Sequence, residues 1–283
     1  MERKKRTVPG IMRMKPKGAK IAMLTAYDYP TARLADEAGV DIILVGDTLA
    51  MVVLGYETTL PVTMDEMLCH VKAVSRARPS ALVVADMPFM SFQVSPSEAV
   101  RNAGRMIKEG GADAVKLEGG TCVAPAVAAI VNAKIPVMGH IGLTPQAIRR
   151  FGGYRVQGRS EEGRAGIVDD AAALEEAGCF SMVLEGIPWK LAEEITGEVG
   201  VPTIGIGAGP HCDGQVLVNH DILGLYEGHV PKFVRKYADI RSTILKAFSD
   251  YVSDVKSGEF PTLEESYDNA KDSKKDRDPE AGA

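Results

Sequence analysis

Short apolar runs alternate with helix-like segments along most of this 283-residue chain. Strands that alternate with helices predict a parallel sheet. The predicted strands are 21–25, 41–45, 81–85, 114–118, 135–138, 181–185 and 201–204, with a weaker eighth strand near Ile222–Leu225. About eight such units in roughly 250 residues is the size of a (β/α)8 TIM barrel. A doubly wound sheet is the alternative, and it is disfavoured because no Gly-x-Gly-x-x-Gly motif follows the first strand.

The segments between the strands carry helix signals. The predicted helices are 30–38, 63–76, 95–109, 123–132, 164–177 and 188–196, and 233–257 is predicted as one or two C-terminal helices. Residues 144–163 contain several glycines and predict a long loop with at most a helical turn. We expect an N-terminal arm or helix over 1–20, the barrel catalytic domain over 21–260 and a disordered polar tail over 261–283.

Composition excludes several classes of protein. The formal net charge of −5 gives no general attraction to nucleic acid or to an anionic membrane. No uninterrupted apolar segment is long enough to span a bilayer, and no apolar stretch of a secretory signal follows the basic start. The four cysteines are widely spaced without a Cys-x-x-Cys pair, which argues against a zinc site and a disulfide framework. We therefore expect a reduced, cytoplasmic setting.

Ionisable side chains stand at the carboxyl ends of five consecutive predicted strands, the second to the sixth. These residues are Asp47, Asp86, Lys116 with Glu118, His140 and Glu185. On one strand, two charges at i and i+2 share a side and could form an internal ion pair. In a barrel, however, the carboxyl ends of the strands form the active site. Repetition on successive strands therefore favours a functional site over separate ion pairs.

The residue types narrow the chemistry. Three carboxylates brought together repel one another, and a divalent cation removes that conflict; all-oxygen ligands favour Mg²⁺ over Zn²⁺. Such an ion acts as a Lewis acid when a proton next to a substrate carbonyl is removed. Glu185 lies two strands beyond Glu118 and suits a general base, with a pKa raised by burial. Lys116 would supply positive charge to a substrate carboxylate or an enolate oxygen. The residues alone thus predict a metal-dependent enzyme of 2-oxo acid enolates: an aldolase, a lyase or a hydroxymethyltransferase.

Other features allow plainer explanations. His140 lies between glycines and is more typical of a hydrogen-bonding residue than of a metal ligand. The loop Gly205–Gly209 could bind an anion or form a tight βα turn. The run His211–Asp213 is too closely spaced for one metal site and is interpreted as a loop, and the single Trp189 as core or interface packing.

A series of motifs then identifies a family. The motifs are Thr25–Tyr29, Val45–Leu49, Thr59–Thr63, Ala85–Phe89, Val115–Gly120, Gly139–Gln146, Phe151–Gly158, Val183–Glu185, Gly205–Gly209 and Asp213–Leu217. In this order and over about residues 20–258, the chain resembles the ketopantoate hydroxymethyltransferases. The set is highly specific as a series, although no single motif would be.

The resemblance implies a (β/α)8 barrel that transfers a one-carbon unit from 5,10-methylenetetrahydrofolate to 3-methyl-2-oxobutanoate. The product would be 2-dehydropantoate, on the route to pantothenate and coenzyme A. By the family pattern, Mg²⁺ is held by Asp47, Asp86 and Glu118, and Glu185 is the catalytic base. The residues implied in substrate binding are Asp47, Thr48, Asp86, Lys116 and His140. Many members carry Ser where this chain has Thr48, so we expect slightly tighter packing around the substrate. The family forms large ring-like homo-oligomers, typically decamers.

Two other functions remain to be separated from this one. The first is another Mg²⁺-dependent 2-oxo acid lyase or mutase of the phosphoenolpyruvate mutase and isocitrate lyase type. The lyases of that group carry a Lys-Lys-Cys-Gly-His loop, and this chain has no such run. The second is a non-catalytic barrel that binds a metal or an oxo acid, which would not need Glu185 in addition to the metal carboxylates.

Overall fold

A closed parallel barrel forms the centre of the molecule. The computed structural model describes residues 4–225, 228 and 230–267. Within them, the strands follow one another around the barrel in chain order, and the last pairs back to the first. The strands are β1 Ile21–Thr25, β2 Ile42–Val45, β3 Leu82–Asp86, β4 Ala114–Glu118, β5 Val137–Gly142, β6 Ser181–Glu185, β7 Thr203–Ile206 and β8 Gly214–Leu217. The predicted TIM barrel is confirmed, and the doubly wound alternative is wrong.

Helices surround the barrel or extend from it. In the described residues they are α1 Val8–Met12, α2 Tyr29–Glu37, α3 Leu49–Val52, α4 Met64–Arg76, α5 Pro96–Lys108, α6 Ala124–Asn132, α7 Ile148–Phe151, α8 Glu161–Glu176, α9 Trp189–Glu198, α10 Asn219–Ile222 and α11 Ile240–Ser257. Side-chain caps set several of their starts: Thr63 and Glu66 form a capping box at α4, and the Ser95 hydroxyl accepts from the backbone N–H of Glu98 at the start of α5. No helix in the described part of the chain is both long and apolar enough to cross a membrane.

The prediction for the eighth strand is wrong. Strand β8 is Gly214–Leu217, whereas Ile222 ends the short helix α10 and the chain turns immediately after it. The run Gly-Gln-Val-Leu is neither long nor continuously apolar, so it gives no strand signal by itself. It is a strand because its backbone pairs with β1 on one side and β7 on the other.

Smaller differences concern helix limits and the chain ends. Helix α8 begins at Glu161, three residues before its predicted start, because Ser160 caps it. The predicted C-terminal helical region forms a helix only over α11. The predicted N-terminal arm contains α1, whose Ile11 is fully buried. Residues 261–267 include the 3₁₀ turn Leu263–Glu265, and the rest of the predicted tail lies outside the described residues.

Apolar residues along β2 to β6 belong alternately to two separate apolar clusters, and this alternation positions the site. Leu82 and Val84 of β3 belong to the cluster that fills the barrel, whereas Val83 and Ala85 pack beneath the helices. Because side chains alternate along a strand, Asp86 continues the inward-facing series of Leu82 and Val84. Ala114 is likewise the inward residue that leads to Lys116 and Glu118 on β4.

Candidate active site

Strand register brings the predicted site residues to one end of the barrel. Asp86 stands beside Lys116, and Glu118 stands beside His140, as paired positions of neighbouring strands. One cavity at this end is lined by every residue predicted for the site, namely Asp47, Thr48, Asp86, Lys116, Glu118, His140 and Glu185. The convergence expected from the strand ends is therefore present.

Lys116 is a buried cation at the centre of the cavity. Its Nζ lies 2.9 Å from Asp86 Oδ1 and 3.2 Å from His140 Nδ1. Burial disfavours the ammonium, but the charges of Asp86, Glu118 and Asp47 outweigh it and raise the pKa of Lys116 above its ordinary value. An ion pair thus exists, but it joins Lys116 to Asp86 of the neighbouring strand rather than to Glu118 on the same strand, and both residues line the cavity.

His140 lies between Lys116 and Glu185. Burial, and then the nearby Lys116 ammonium, lower its pKa well below the ordinary value. Because an ammonium can only donate, Nδ1 of the neutral ring is the acceptor and Nε2 carries the proton. Nε2 lies 3.1 Å from Glu185 Oε2, although the N–H is not directed at that oxygen as in a hydrogen bond. Catalytic contacts of this kind often tighten when substrate binds. His140 is thus placed to orient Glu185.

Glu185 has the electrostatics of a general base. Burial raises its pKa to about 7, against the opposing effect of Lys116. Its side chain keeps 15% of its surface exposed, so it borders the cavity space directly. A carboxylate with a pKa near neutrality can both accept and return a proton at physiological pH.

Three further carboxyl groups, those of Asp47, Asp86 and Glu118, line the same cavity. The backbone N–H of Asp47 donates to Asp86 Oδ2 at 3.1 Å, so these two residues are in direct contact. Burial and the charge of Asp86 raise the pKa of Asp47 to about 7. Burial and the charge of Asp47 raise the pKa of Glu118 well above its ordinary value. The single Lys116 ammonium does not neutralise all three groups, which favours an additional cation.

Gln146 connects the acidic groups, a role that the sequence did not predict. Its Nε2 donates to Asp47 Oδ2 and to the Met87 carbonyl, both at 2.9 Å, and its backbone N–H donates to Glu118 Oε2 at 2.9 Å. Gln93 Nε2 donates to Gln146 Oε1 at 3.2 Å, which fixes the orientation of the amide. The reason for the omission is that Gln146 is uncharged and lies in the 3₁₀ turn Pro145–Ala147 beyond β5. Its position in the Gly139–Gln146 motif was the only sequence signal.

The donor chemistry fits a hard divalent ion. As the side chains stand, no group of three or more His, Cys, Asp or Glu residues in the described chain is arranged to hold a metal ion. Gln146 engages Asp47 and Glu118, and Lys116 lies against Asp86. However, Asp86 Oδ1 is buried without a hydrogen-bond partner among the described residues, since its 2.9 Å contact with Lys116 is not aligned as one. Mg²⁺ typically takes only one or two protein carboxylates, with water and substrate oxygens completing its shell. Asp47 and Asp86 could supply these two carboxylates, and Glu118 lines the same cavity.

The remaining candidates lie outside this cavity. Asp213 accepts from Lys15 Nζ at 3.0 Å and from the Thr203 backbone N–H at 2.9 Å. It therefore joins the segment before β1 to strand β7. Gly209 has a positive φ and lies against Trp189, where a Cβ atom would come within 2.4 Å of the Trp189 Cβ. The Gly205–Gly209 loop is thus a close turn. Trp189 lies against it but is 47% exposed, so the prediction of a core position for Trp189 is wrong.

Known proteins resemble the chain over nearly its full length. A family model described as ketopantoate hydroxymethyltransferase matches residues 5–263. The 3-methyl-2-oxobutanoate hydroxymethyltransferase of Geobacter metallireducens is 61% identical over 258 residues, which are 91% of this chain and 97% of that protein. The enzyme of the same name from Trichlorobacter lovleyi is 62% identical over 265 residues, with 94% and 99% covered. That from Moorella thermoacetica is 60% identical over 266 residues.

Solved structures share the barrel at much lower identity. A phosphonopyruvate hydrolase in complex with oxalate and Mg²⁺ superposes with a TM-score of 0.61 at 14% identity, over 89% of this chain and 88% of that one. A 2,3-dimethylmalate lyase gives a TM-score of 0.56 at 16% identity, over 93% and 92%. These likenesses establish a common fold. Membership follows from the family match and the high-identity relatives: the chain belongs to the ketopantoate hydroxymethyltransferase family.

Proposed function

We propose that this protein transfers a hydroxymethyl group from 5,10-methylenetetrahydrofolate to 3-methyl-2-oxobutanoate, forming 2-dehydropantoate for pantothenate and coenzyme A biosynthesis. One observation carries the proposal: a buried carboxyl group with a pKa near 7 faces the same cavity as the acidic cluster and a buried lysine. Removal of a proton next to a ketone needs such a base and a cationic environment for the developing negative charge. The family membership then specifies the substrates.

The acidic side of the cavity would bind Mg²⁺ and the 2-oxo acid. Asp47 and Asp86 are the proposed ligands, and Glu118, anchored by the Gln146 N–H, completes the negative surroundings. When bound, the ion supplies Lewis-acid charge for the oxygens of the 2-oxo acid. Lys116 can donate from its ammonium to the substrate carboxylate, and the Thr48 hydroxyl lies in the same cavity.

The base side of the cavity would transfer the proton. Glu185 takes the proton from C3 of 3-methyl-2-oxobutanoate as the C–H bond breaks, and His140 Nε2, which lies 3.1 Å from Glu185 Oε2, would orient the carboxylate once substrate is bound. The electron pair left on C3 forms the new carbon–carbon bond to the one-carbon unit. Water supplies the hydroxyl group and one proton, and the two carbon–nitrogen bonds to tetrahydrofolate break. The two nitrogens take up that proton and the proton that Glu185 removed from C3. The methylene carbon is at the oxidation level of formaldehyde, so the reaction needs no oxidant or reductant.

The phosphoenolpyruvate mutase and isocitrate lyase type of reaction is the weaker candidate. Proteins of that type share only the fold with this chain, at 14–16% identity. The relatives at about 60% identity all carry the hydroxymethyltransferase name. The reaction proposed above therefore takes precedence.

Assembly and location complete the proposal. We propose a cytoplasmic homo-oligomer, with the decamer of the family as the expected size. All four cysteines are free, and two of them are exposed, which suits a reducing compartment. The exposed apolar residues of α11 support association with other copies.

An isotope-exchange assay tests the reaction in two stages. The protein with Mg²⁺ and 3-methyl-2-oxobutanoate in D₂O should replace the C3 hydrogen by deuterium, observed by NMR. Addition of 5,10-methylenetetrahydrofolate should then give 2-dehydropantoate, and chelation of the metal should abolish both results. Folded, metal-loaded protein that shows neither exchange nor product would refute the proposal. Turnover of phosphonopyruvate or 2,3-dimethylmalate instead would support the alternative.

A further inference from the structure

The side-chain amide of Gln146 has a partner for every hydrogen-bonding group. The two hydrogens on its Nε2 go to Asp47 Oδ2 and to the Met87 carbonyl, both at 2.9 Å. Its Oε1 accepts from Gln93 Nε2 at 3.2 Å. If the amide were turned over, Oε1 would face two acceptors, so these bonds permit one orientation only. Gln146 is buried, and its bond to Asp47 is therefore little exposed to competition from solvent.

Gln93 supports this amide from the loop between β3 and α5. Gln93 Oε1 accepts from the Phe92 backbone N–H at 3.3 Å, which leaves Gln93 Nε2 to donate to Gln146. The two glutamines thus connect the backbone of that loop to the carboxyl group of Asp47. Neither glutamine carries a charge, and neither acts as the base in the reaction proposed above. Their contribution has to come through the orientation of Asp47.

A donor of the protein occupies one oxygen of each carboxyl group in the acidic cluster. Oδ2 of Asp47 accepts from the Gln146 amide at 2.9 Å. Oδ2 of Asp86 accepts from the Asp47 backbone N–H at 3.1 Å, and Oε2 of Glu118 accepts from the Gln146 backbone N–H at 2.9 Å. The second oxygen of Asp86, Oδ1, has no hydrogen-bond partner among the described residues. Each carboxyl group is therefore arranged to offer a bound ion one oxygen rather than two.

One-oxygen binding distinguishes between divalent cations. Mg²⁺ requires a nearly ideal octahedron, keeps several water molecules and takes one or two protein carboxylates. Ca²⁺ is larger, takes six to eight oxygens and commonly binds both oxygens of a carboxylate. A carboxyl group that already accepts a hydrogen bond on one oxygen is poorly suited to that second mode. The arrangement of Asp47 and Asp86 thus favours the smaller ion.

We propose that Gln146, supported by Gln93, is a positioning residue that restricts Asp47 to one-oxygen binding and thereby selects Mg²⁺ over Ca²⁺. The inference rests on the proposed function, in which Asp47 is a ligand of the ion. Gln146 acts through Asp47 and is not itself a ligand. Without the amide, Asp47 would be free to turn and offer both oxygens, which is the arrangement that suits the larger ion.

Displacement of Mn²⁺ measures the selectivity without turnover. Mn²⁺ loses its sharp EPR signal on binding, so titration of Mn²⁺-loaded protein with Mg²⁺ or Ca²⁺ gives the dissociation constant of each ion. Gln146→Met keeps the length of the side chain and the backbone N–H to Glu118, but removes the donor to Asp47. The Mg²⁺ affinity should fall about 10–100-fold, the usual cost of losing a group that supports a metal ligand. Because Ca²⁺ gains the released oxygen, its affinity should fall less, and the ratio of the Ca²⁺ to the Mg²⁺ dissociation constant should fall about tenfold.

Two further variants make the measurement specific. Gln215→Met is the matched control, since Gln215 is exposed and its Nε2 donates to the Gly209 carbonyl at 2.9 Å, outside the cavity. Its ratio should equal that of the wild type. Gln93→Met, at an exposed position, removes only the donor to Gln146 Oε1 and should shift the ratio in the same direction by a smaller factor.

The ratio separates positioning from a purely structural role. A purely structural role of Gln146 would lower the affinities for Mg²⁺ and Ca²⁺ by the same factor, so an unchanged ratio in Gln146→Met would overturn the proposal. If that variant does not fold, an unchanged ratio in Gln93→Met would overturn it instead. Formation of 2-dehydropantoate by the wild type with Mg²⁺ tests the proposed function separately, and that function would stand even where the ratio does not change.

Discussion

The two ends of the barrel interior are built from the same inward-facing positions but have opposite chemistry. Near the start of β3 these positions are Leu82 and Val84, and at its end the position is Asp86. Strand β4 changes in the same way, from Ala114 to Lys116 and Glu118. The alternation of side chains determines which residues face inward, and the change from apolar to ionisable residues along that face marks the reactive end.

The apolar and ionisable ends of the barrel interior contribute differently to stability and to reactivity. At the apolar end, where the strands begin, each large buried side chain contributes about 1.5–3 kcal/mol to the free energy of unfolding by its removal from water. At the ionisable end, where the strands finish, burial disfavours the charged forms of Asp47, Glu118 and Glu185 and raises the pKa of each. The apolar end therefore offsets the cost of the ionisable end, and substitutions at the two ends should have different effects.

Glu185→Gln should give the largest loss of activity. It removes the base and keeps the size of the side chain, so C3–H exchange should fall about 10²–10⁴-fold. The denaturation midpoint should not fall, because burial already disfavours the charged carboxylate. The comparison variant is Glu162→Gln on the exposed side of α8, which should match the wild type. Near-normal exchange by Glu185→Gln would assign the base to another residue.

Leu82→Ala should have the converse effect at the apolar end. Leu82 is buried inside the barrel, so the cavity left by the substitution should lower the free energy of unfolding by about 2–5 kcal/mol. Urea denaturation measures this loss. The exchange rate per folded molecule should stay unchanged, since Leu82 lies outside the reactive cavity. If exchange fell along with stability, the two ends would be coupled rather than separate.

Asp86→Asn should weaken the metal site. Loss of groups that only support a metal ligand typically costs 10–100-fold in affinity, so loss of a proposed ligand should cost at least about as much. Calorimetric titration with Mg²⁺ in the absence of substrate measures the affinity, and Asp169→Asn on the exposed surface of α8 provides the matched control. An unchanged Mg²⁺ affinity would remove Asp86 from the set of ligands.

The pH dependence should show the smallest effect, about tenfold per pH unit. Glu185 accepts a proton only in its charged form, and burial raises its pKa from an ordinary 4.5 to about 7. The rate of C3–H exchange should therefore rise with pH up to about 7 and level off above it. A rate that already levels off near pH 5 would indicate a base with an ordinary carboxyl pKa.

Local patterns were sufficient for most of the fold and for the charged part of the site. The apolar runs that predicted β1 to β7 overlap the observed strands, because strands buried on both faces need continuous apolar sequence, although β5 and β7 each begin two residues later than predicted. Strand β8 was placed wrongly, since Gly214–Leu217 becomes a strand only by pairing with its two neighbours. Gln146 was not identified because its role consists of hydrogen bonds to groups far away in sequence.

The sequence by itself determined that ionisable residues stand at the ends of five neighbouring strands. It thereby predicted a site that combines several carboxyl groups with one lysine. It could do so because strand periodicity and strand ends are local properties of the chain. Only the tertiary structure decided the contacts of His140 with Lys116 and Glu185, the hydrogen bonds that Gln146 donates to Asp47 and Glu118, and the exposure of helix α11. Each depends on the distances and burial that arise when remote segments meet, and no local pattern encodes them.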